Sequence, residues 1–196
     1  MSTHTVIIVP GLGDETRGLK LVTRHWQRFG LTPIVYSLDW KNKEETFELK
    51  LQRLLTLIDS YTKKGNSVSL IGTSAGGSAI LNAFLIRRNK LHRVITVCSR
   101  LRTGPRQGFR SFENRTQTSP AFAQSVTYLE ENVKTLTKPD REKIMTVRAF
   151  YGDELVPSAT VSLDGAYNVS IPTCGHALSI SLMFILFSRK MTSFLS

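Results

Sequence analysis

The chain has 196 residues, of which 41% are hydrophobic and 21% are charged, and its formal net charge is +11. This length and composition fit one globular domain with a sizeable core and exclude a disordered chain. The charge is typical of proteins that bind nucleic acid, an acidic membrane surface or an anionic substrate. No nucleic-acid motif accompanies it, so we interpret it as favouring solubility and do not expect a nucleic-acid partner; peripheral contact with an anionic membrane and the oligomeric state stay open.

The two ends of the sequence and its cysteines bear on location. The amino-terminal residues lead directly into an apolar strand, without the basic stretch and cleavage site of a signal peptide. The apolar run at 177–187 is too short to cross a bilayer. Cys98 and Cys174 each follow a predicted strand, and nothing indicates a disulfide or a metal site. We therefore expect a cytoplasmic protein without metal ion or cofactor.

Apolar strands and amphipathic helices alternate through the first third of the chain. The first strand ends in a glycine-rich turn, P-G-L-G-D at 10–14, which can direct backbone amides at a developing anion. This turn matches neither a dinucleotide-binding fingerprint nor a phosphate-binding P-loop. The pattern predicts the following elements: a strand at 5–10, a helix at 17–29, a strand at 33–38 and a helix at 44–64.

The next strand runs into a G-x-S-x-G pentapeptide centred on Ser74. The strand breaks at Gly72, and an apolar helix begins near Ala75. In a nucleophile elbow the serine occupies a strained strand-to-helix turn, and the positions two before and two after it tolerate little except glycine. Gly72 and Gly76 fill those positions, which predicts that Ser74 is a nucleophile. The alternative is an ordinary turn with a capping serine.

An irregular segment follows the fourth strand, which we predict at 91–98. The segment covers 99–120, and a loop of this length is a candidate lid or active-site loop, with a solvated surface loop as the alternative. We predict that Arg100, Arg102 and Phe109 contact the substrate. The segment's other basic and aromatic residues are Arg106, Arg110, Arg115 and Phe112.

The remaining elements complete an α/β pattern. We predict a helix at 120–136, strands at 145–151 and 168–171, and a last helix at 179–194. Strands that alternate with helices indicate an open, mostly parallel sheet covered on both faces, which is a three-layer α/β/α sandwich.

Three chemically competent residues each follow a predicted strand: Ser74, Asp153 and His176. The carboxyl ends of parallel strands meet at one edge of the sheet, where ligands bind. A serine hydroxyl needs a base, which the histidine supplies, and the base needs an orienting carboxylate. The order Ser, Asp, His is that of α/β-hydrolases. Glu154 is the alternative acid, and Asp153 and His176 could each be ordinary loop residues.

The motifs G-T-S-A-G-G, G-D-E-L-V-P and G-H-A-L together resemble the α/β-hydrolase superfamily over nearly the whole chain. The stretch from Gly152 to His176 is similar to the corresponding segment of small bacterial lipases and esterases. The resemblance implies a single domain over 1–196 with a six-stranded sheet in the order 2-1-3-4-5-6. It also implies an oxyanion hole built from the backbone N–H groups of Leu12 and Ala75.

Two positions depart from the lipase pattern. Pro10 stands where lipases usually carry histidine, so no side chain at this position can brace the oxyanion loop by a hydrogen bond. Thr73 stands where a histidine is common, which favours an esterase over a lipase. We predict a serine hydrolase that cleaves carboxylic esters or thioesters through an acyl-enzyme. The alternative is a hydrolase-fold binding protein without turnover, whose partner could be anionic.

Overall fold

A single parallel sheet forms the centre of the protein. The computed structural model describes residues 3–105 and 107–196. The strands lie in the order β2-β1-β3-β4-β5-β6, and every neighbouring pair is parallel. The predicted strand order is therefore confirmed. The strands are β1 (His4–Val9), β2 (Leu31–Val35), β3 (Ser67–Thr73), β4 (Val94–Val97), β5 (Ile144–Ala149) and β6 (Tyr167–Ile171).

Helices follow most of the strands. In the described part of the chain the α-helices are α1 (Arg17–Thr23), α2 (Phe47–Thr62), α3 (Ala75–Arg87), α4 (Phe112–Thr116), α5 (Pro120–Asn132), α6 (Lys138–Glu142), α7 (His176–Ile185) and α8 (Ser188–Leu195). Short 3-10 helices cover Arg24–Phe29, Val133–Thr135 and Ser158–Thr160.

The alternation of apolar residues in β1 builds two hydrophobic layers. Ile7 and Val9 face the layer that contains α2, α3 and α5. Val6 and Ile8 face the opposite layer, with α1, α7 and α8. Successive strand side chains point to opposite faces, so a continuously apolar strand is buried on both sides. The three-layer prediction is confirmed.

The residues predicted to form one helix over 17–29 form two elements, α1 and the 3-10 helix Arg24–Phe29. The hydroxyl of Thr23 donates to the carbonyl of Leu19 at 2.7 Å, a local bond that competes with the helical ladder, and the chain continues as a 3-10 helix. Trp26 is buried and stacks on Phe184, with 5.9 Å between ring centroids. Phe29, at the end of the 3-10 helix, is 52% exposed.

The helix predicted over 179–194 likewise consists of two helices, α7 and α8, with a bend of 62° between them. The amides of Leu186 and Phe187 both donate to the carbonyl of Leu182, which ends α7. Leu186, just after α7, is 68% exposed, whereas Met183 and Phe184 are buried in the core. No single helix of the described chain is long and apolar enough to span a bilayer; only the bent α7–α8 pair reaches that length and composition.

Candidate active site

Ser74 occupies a strained turn between β3 and α3. Its backbone has φ 52° and ψ −121°, a conformation that costs free energy in any residue with a Cβ and that clusters at functional sites. A Cβ on Gly72 would overlap the backbone of Gly76, and a Cβ on Gly76 would overlap the carbonyl of Val9. Both glycines are therefore needed for the close approach of α3 to the ends of β1 and β3.

His176 and Asp153 lie beside this turn. His176 is the first residue of α7, and its Nε2 lies 2.9 Å from Ser74 Oγ. On the other side of the ring, Nδ1 lies 2.7 Å from Asp153 Oδ2. The three residues thus form one chain of hydrogen bonds at the carboxyl edge of the sheet, as their positions in the sequence predict.

Asp153 is held in its ionised form. Its Oδ1 accepts hydrogen bonds from the amides of Leu155 at 2.8 Å and Val156 at 2.9 Å. Burial alone would raise the pKa of Asp153, but the hydrogen bond and charge of His176, together with these two amides, outweigh it and lower the pKa below its ordinary value. A carboxylate at Nδ1 keeps the proton there and leaves Nε2 free to accept the serine proton.

Glu154, the alternative acid, contacts a different part of His176. Its Oε2 accepts a hydrogen bond from the backbone amide of His176 at 2.8 Å, at the amino terminus of α7. A carboxylate at this end of a helix satisfies a free N–H group and interacts favourably with the helix dipole. Asp153, not Glu154, therefore faces the imidazole ring.

The turn after β1 contacts the elbow. A Cβ on Gly11 would lie only 2.8 Å from Ser74 Cβ and 3.2 Å from its Oγ. Leu12 lines the same cavity as Ser74, and its amide donates no hydrogen bond within the described residues. Ala75 opens α3, so its amide has no acceptor within the helix. Both amides predicted to form the oxyanion hole thus belong to segments beside Ser74.

Trp40 and Asp14 brace this turn in a way that the sequence did not indicate. The indole Nε1 of Trp40 donates to the carbonyl of Pro10 at 3.1 Å. The Asp14 carboxylate accepts from Ser37 Oγ at 2.7 Å and from the Trp40 amide at 2.8 Å. The loop after β2 therefore supplies the support that the proline at position 10 cannot. A sequence signal exists, since both loops follow neighbouring strands at one edge, but it does not specify these contacts.

A cavity of about 560 Å³ opens beside Ser74 and extends between α1 and α7. Leu155 and Val156 lie on its other side, next to His176. The walls formed by α1 and α7 are mostly apolar and comprise Leu19, Val22, Ala177, Ile180, Phe184 and Ile185. A cavity with apolar walls and a polar group at one end can hold a hydrocarbon chain and fix its reactive end.

Arg100 is a structural residue more than a substrate contact. It belongs to the cavity wall but is only 1% exposed. Its guanidinium donates to the carbonyls of Thr103, Arg110 and Ser111, which ties the two ends of the 103–111 stretch together. Burial and the neighbouring charge of Arg115 lower the pKa of Arg100.

The other two predicted substrate residues lie outside the cavity. Arg102 donates to the carbonyl of Ser162 at 2.6 Å, and Phe109 is 69% exposed, with the guanidinium of Arg115 5.1 Å from its ring centroid. Neither side chain lines the cavity beside Ser74, and their contact with substrate stays a prediction. Arg115 lines the cavity instead. Arg106, which the sequence placed in the same group, lies outside the described residues.

Within residues 3–105 and 107–196, no three His, Cys, Asp or Glu side chains are placed to hold a metal ion. Cys98 follows β4, but burial and the charge of Asp153 raise its pKa to about 12. A thiol with such a pKa is not a nucleophile near neutral pH.

Comparisons with known proteins agree with the architecture. No protein-family model and no curated protein matches the sequence. Among solved structures, the chain is similar to that described as "LipS and LipT, two metagenome-derived lipolytic enzymes" (10% identity, TM-score 0.69, 99% of this chain and 94% of that one). It is also similar to Est1E from Butyrivibrio proteoclasticus (18% identity, TM-score 0.65, 99% of this chain and 87% of that one). A third similar structure is a monoacylglycerol lipase from Paleococcus ferrophilus (15% identity, TM-score 0.67, 100% of this chain and 96% of that one). The chain therefore has the fold of the α/β-hydrolase superfamily.

Proposed function

We propose that this protein is a serine hydrolase that cleaves carboxylic esters or thioesters through an acyl-enzyme. One observation carries the proposal, which is the hydrogen-bonded chain from Ser74 through His176 to Asp153 beside an apolar cavity. A serine hydroxyl is a weak nucleophile, and this arrangement supplies both the base that activates it and the carboxylate that orients the base.

The first half-reaction acylates the serine. Ser74 Oγ attacks the acyl carbon while His176 Nε2 takes its proton, and Asp153 stabilises the imidazolium that forms. The amides of Leu12 and Ala75 donate to the negatively charged oxygen of the tetrahedral intermediate. One such donor contributes roughly 100- to 1000-fold to the rate. His176 then protonates the leaving alcohol or thiol, and the intermediate collapses to the acyl-enzyme.

The second half-reaction releases the acid. His176, neutral again, takes a proton from a water molecule, and the resulting hydroxide attacks the acyl carbon bound to Ser74. The same two amides bind the second oxyanion. Protonation of Ser74 Oγ by His176 returns the enzyme to its starting state.

The cavity supports an ester with an apolar acyl group. Leu19 and Val22 on α1 face the same space as Ile180 and Phe184 on α7, so an acyl chain would lie between the two helices. Two of the similar structures are described as lipolytic enzymes and a monoacylglycerol lipase, which supports a substrate of this class.

Hydrolysis of p-nitrophenyl butyrate by the wild-type protein and by Ser74→Ala tests the proposal. We expect clear turnover by the wild type and a loss of roughly 10⁶-fold in kcat, the size found when a member of such a triad is removed. Thermal unfolding followed by circular dichroism controls for folding of the variant. A folded wild-type protein without turnover on esters or thioesters would instead favour a hydrolase-fold binding protein.

A further inference from the structure

The helices that wall the cavity, and the segments that follow each of them on the same side of the sheet, carry a one-sided charge. Residues 17–29 and 176–195 contain six lysines and arginines and no aspartate or glutamate. All six are exposed, and none forms an ion pair within the described residues. They are Arg17, Lys20, Arg24, Arg28, Arg189 and Lys190. More than half of the +11 net charge could therefore be neutralised by one partner on this side of the sheet.

The same segments expose large apolar side chains: Leu21 (73%), Phe29 (52%), Leu178 (52%), Ile185 (55%) and Leu186 (68%). Ile185 is at once exposed and part of the cavity wall, so the apolar surface continues into the cavity that reaches Ser74. Groups of exposed apolar residues on a folded domain mark sites of interaction with proteins or membranes. We call these five apolar and six basic residues the α1/α7 face.

The opposite side of the sheet differs in its charge. There Arg53 pairs with Glu45, Arg87 and Lys90 pair with Asp59, and Arg88 pairs with Asp140. These four basic residues are thus compensated within the protein, whereas those of the α1/α7 face are not. Two acidic residues, Asp14 and Glu15, precede α1 and line the cavity. The Asp14 carboxylate accepts from Ser37 and Trp40, and that of Glu15 accepts from the amide of Gly18.

We propose that the α1/α7 face docks on an anionic phospholipid bilayer, so that an acyl chain can pass from the membrane into the cavity. An interfacial segment combines basic residues with an apolar side that enters the boundary between headgroups and acyl chains. Each lysine or arginine near an anionic surface contributes about 1 kcal/mol to binding, which is roughly a fivefold gain in affinity. The cavity then opens at the height of the lipid esters. The proposed docking is reversible and peripheral.

Nucleic acid is the competing partner for a basic surface. Nucleic acid would use the six cations but would leave Leu21 and Leu186 in water, because phosphate contacts do not bury aliphatic side chains. An anionic bilayer would contact the cations through its headgroups and the apolar side chains through its acyl chains. Substitution of the apolar residues alone therefore distinguishes the two partners.

The test is co-sedimentation of the full-length Ser74→Ala protein with vesicles of phosphatidylcholine, with and without phosphatidylglycerol. This variant cannot turn over lipid by the proposed mechanism, so the measurement does not depend on the proposed function. We expect binding to the anionic vesicles to be at least tenfold tighter than to the neutral ones. In this background, Lys20→Gln with Arg24→Gln should weaken binding roughly 30-fold. Leu21→Gln with Leu186→Gln should weaken it more than tenfold.

The matched control removes the same charge from the other side of the sheet. Lys63→Gln with Lys64→Gln changes two exposed lysines at the end of α2 and should leave binding unchanged. Equal binding to both kinds of vesicle, or equal weakening by the control pair, would overturn the proposal. Tight binding to duplex DNA that ignores the leucine substitutions would overturn it in favour of nucleic acid.

Activity on a soluble ester separates this proposal from the proposed function. With Ser74 restored, the Lys20/Arg24 and Leu21/Leu186 variants should hydrolyse p-nitrophenyl butyrate at nearly the wild-type rate, because these residues do not line the cavity. Failure of the proposed function would appear as an inactive wild type whose Ser74→Ala form still binds anionic vesicles. Failure of the docking proposal would appear as an active wild type that does not bind them.

Discussion

A serine that is hydrogen-bonded to a histidine lies near each end of strand β3. Near its beginning, Ser69 Oγ lies 2.8 Å from His4 Nε2. Just after its end, Ser74 Oγ lies 2.9 Å from His176 Nε2. The two hydrogen bonds are almost equal in length, so the serine–histidine contact does not by itself distinguish an active site from a structural pair.

The surroundings of the two pairs differ in every respect that matters for catalysis. Ser69 is fully buried in a regular strand and also accepts from the amide of Arg93, whereas Ser74 has a positive φ and opens to a cavity. His4 faces the ring of His92 at 5.2 Å between centroids, while His176 faces the Asp153 carboxylate. The proposed catalytic role of Ser74 therefore rests on the strained serine, the open cavity and the orienting carboxylate.

The electrostatics of the two histidines follow from these neighbours. Burial, and then the charge of His92, lower the pKa of His4 below its ordinary value, so this ring stays neutral near pH 7. At the other end, the Asp153 carboxylate lies 2.7 Å from Nδ1 of His176. The histidine near the beginning of β3 is thus kept neutral, whereas the histidine near its end faces a carboxylate.

Removal of the carboxylate should have the largest effect on this contrast. Asp153→Asn keeps the shape but allows the wrong tautomer of His176, and we expect kcat on p-nitrophenyl butyrate to fall roughly 10⁴-fold, as in serine proteases with the equivalent change. Glu154→Gln is the matched control and should lose less than about tenfold, because Glu154 contacts only the backbone of His176. Similar losses in both variants would mean that Asp153 has no special role.

Filling the space beside Ser74 should have the next largest effect. Gly11→Ala places a methyl group 2.8 Å from Ser74 Cβ, which displaces the turn that carries the Leu12 amide, and we expect kcat to fall roughly 100- to 1000-fold. Gly13→Ala is the control, since a Cβ there meets no atom within 4 Å. Steady-state kinetics of the two variants test the oxyanion loop, and an active Gly11→Ala enzyme would contradict its assignment.

Shortening the cavity should change the preference for acyl chains. Ile180→Trp fills space between α1 and α7, so kcat/KM for p-nitrophenyl octanoate should fall at least about tenfold relative to the acetate ester. Leu178→Trp enlarges an exposed residue of the same helix that does not line the cavity, and its chain-length profile should match the wild type. An unchanged profile in Ile180→Trp would place the acyl chain elsewhere.

The smallest effect belongs to the pair at the beginning of β3. The folded-state pKa of His4 lies below the unfolded value, so the unfolded chain binds more protons and stability falls as the pH drops below about 6.5. His4→Gln should make the loss of Tm between about pH 7 and pH 5 smaller. Part of the fall in Tm should remain in this variant, because burial also lowers the pKa of His92. An equal decline in wild type and variant would contradict this assignment.

The sequence predicted the parts of the site that depend on strand ends. Ser74, Asp153 and His176 each follow a parallel strand, and such ends converge at one edge whatever the details of packing. The bracing by Trp40 was not predictable in this way, because it joins two loops about 30 residues apart through one indole hydrogen bond. The hydrogen bond of Arg102 to Ser162 was not predictable, because an irregular segment has no periodicity to show where a side chain points.

Reaction with a fluorophosphonate, followed by mass-spectrometric mapping of the modified peptide, tests the central claim most directly. Only a serine that is activated and accessible reacts, so the probe compares Ser74 and Ser69 in one molecule. We expect one adduct, on Ser74, that persists in Ser69→Ala and disappears in Ser74→Ala. A folded protein without an adduct, or an adduct that survives in Ser74→Ala, would contradict the account.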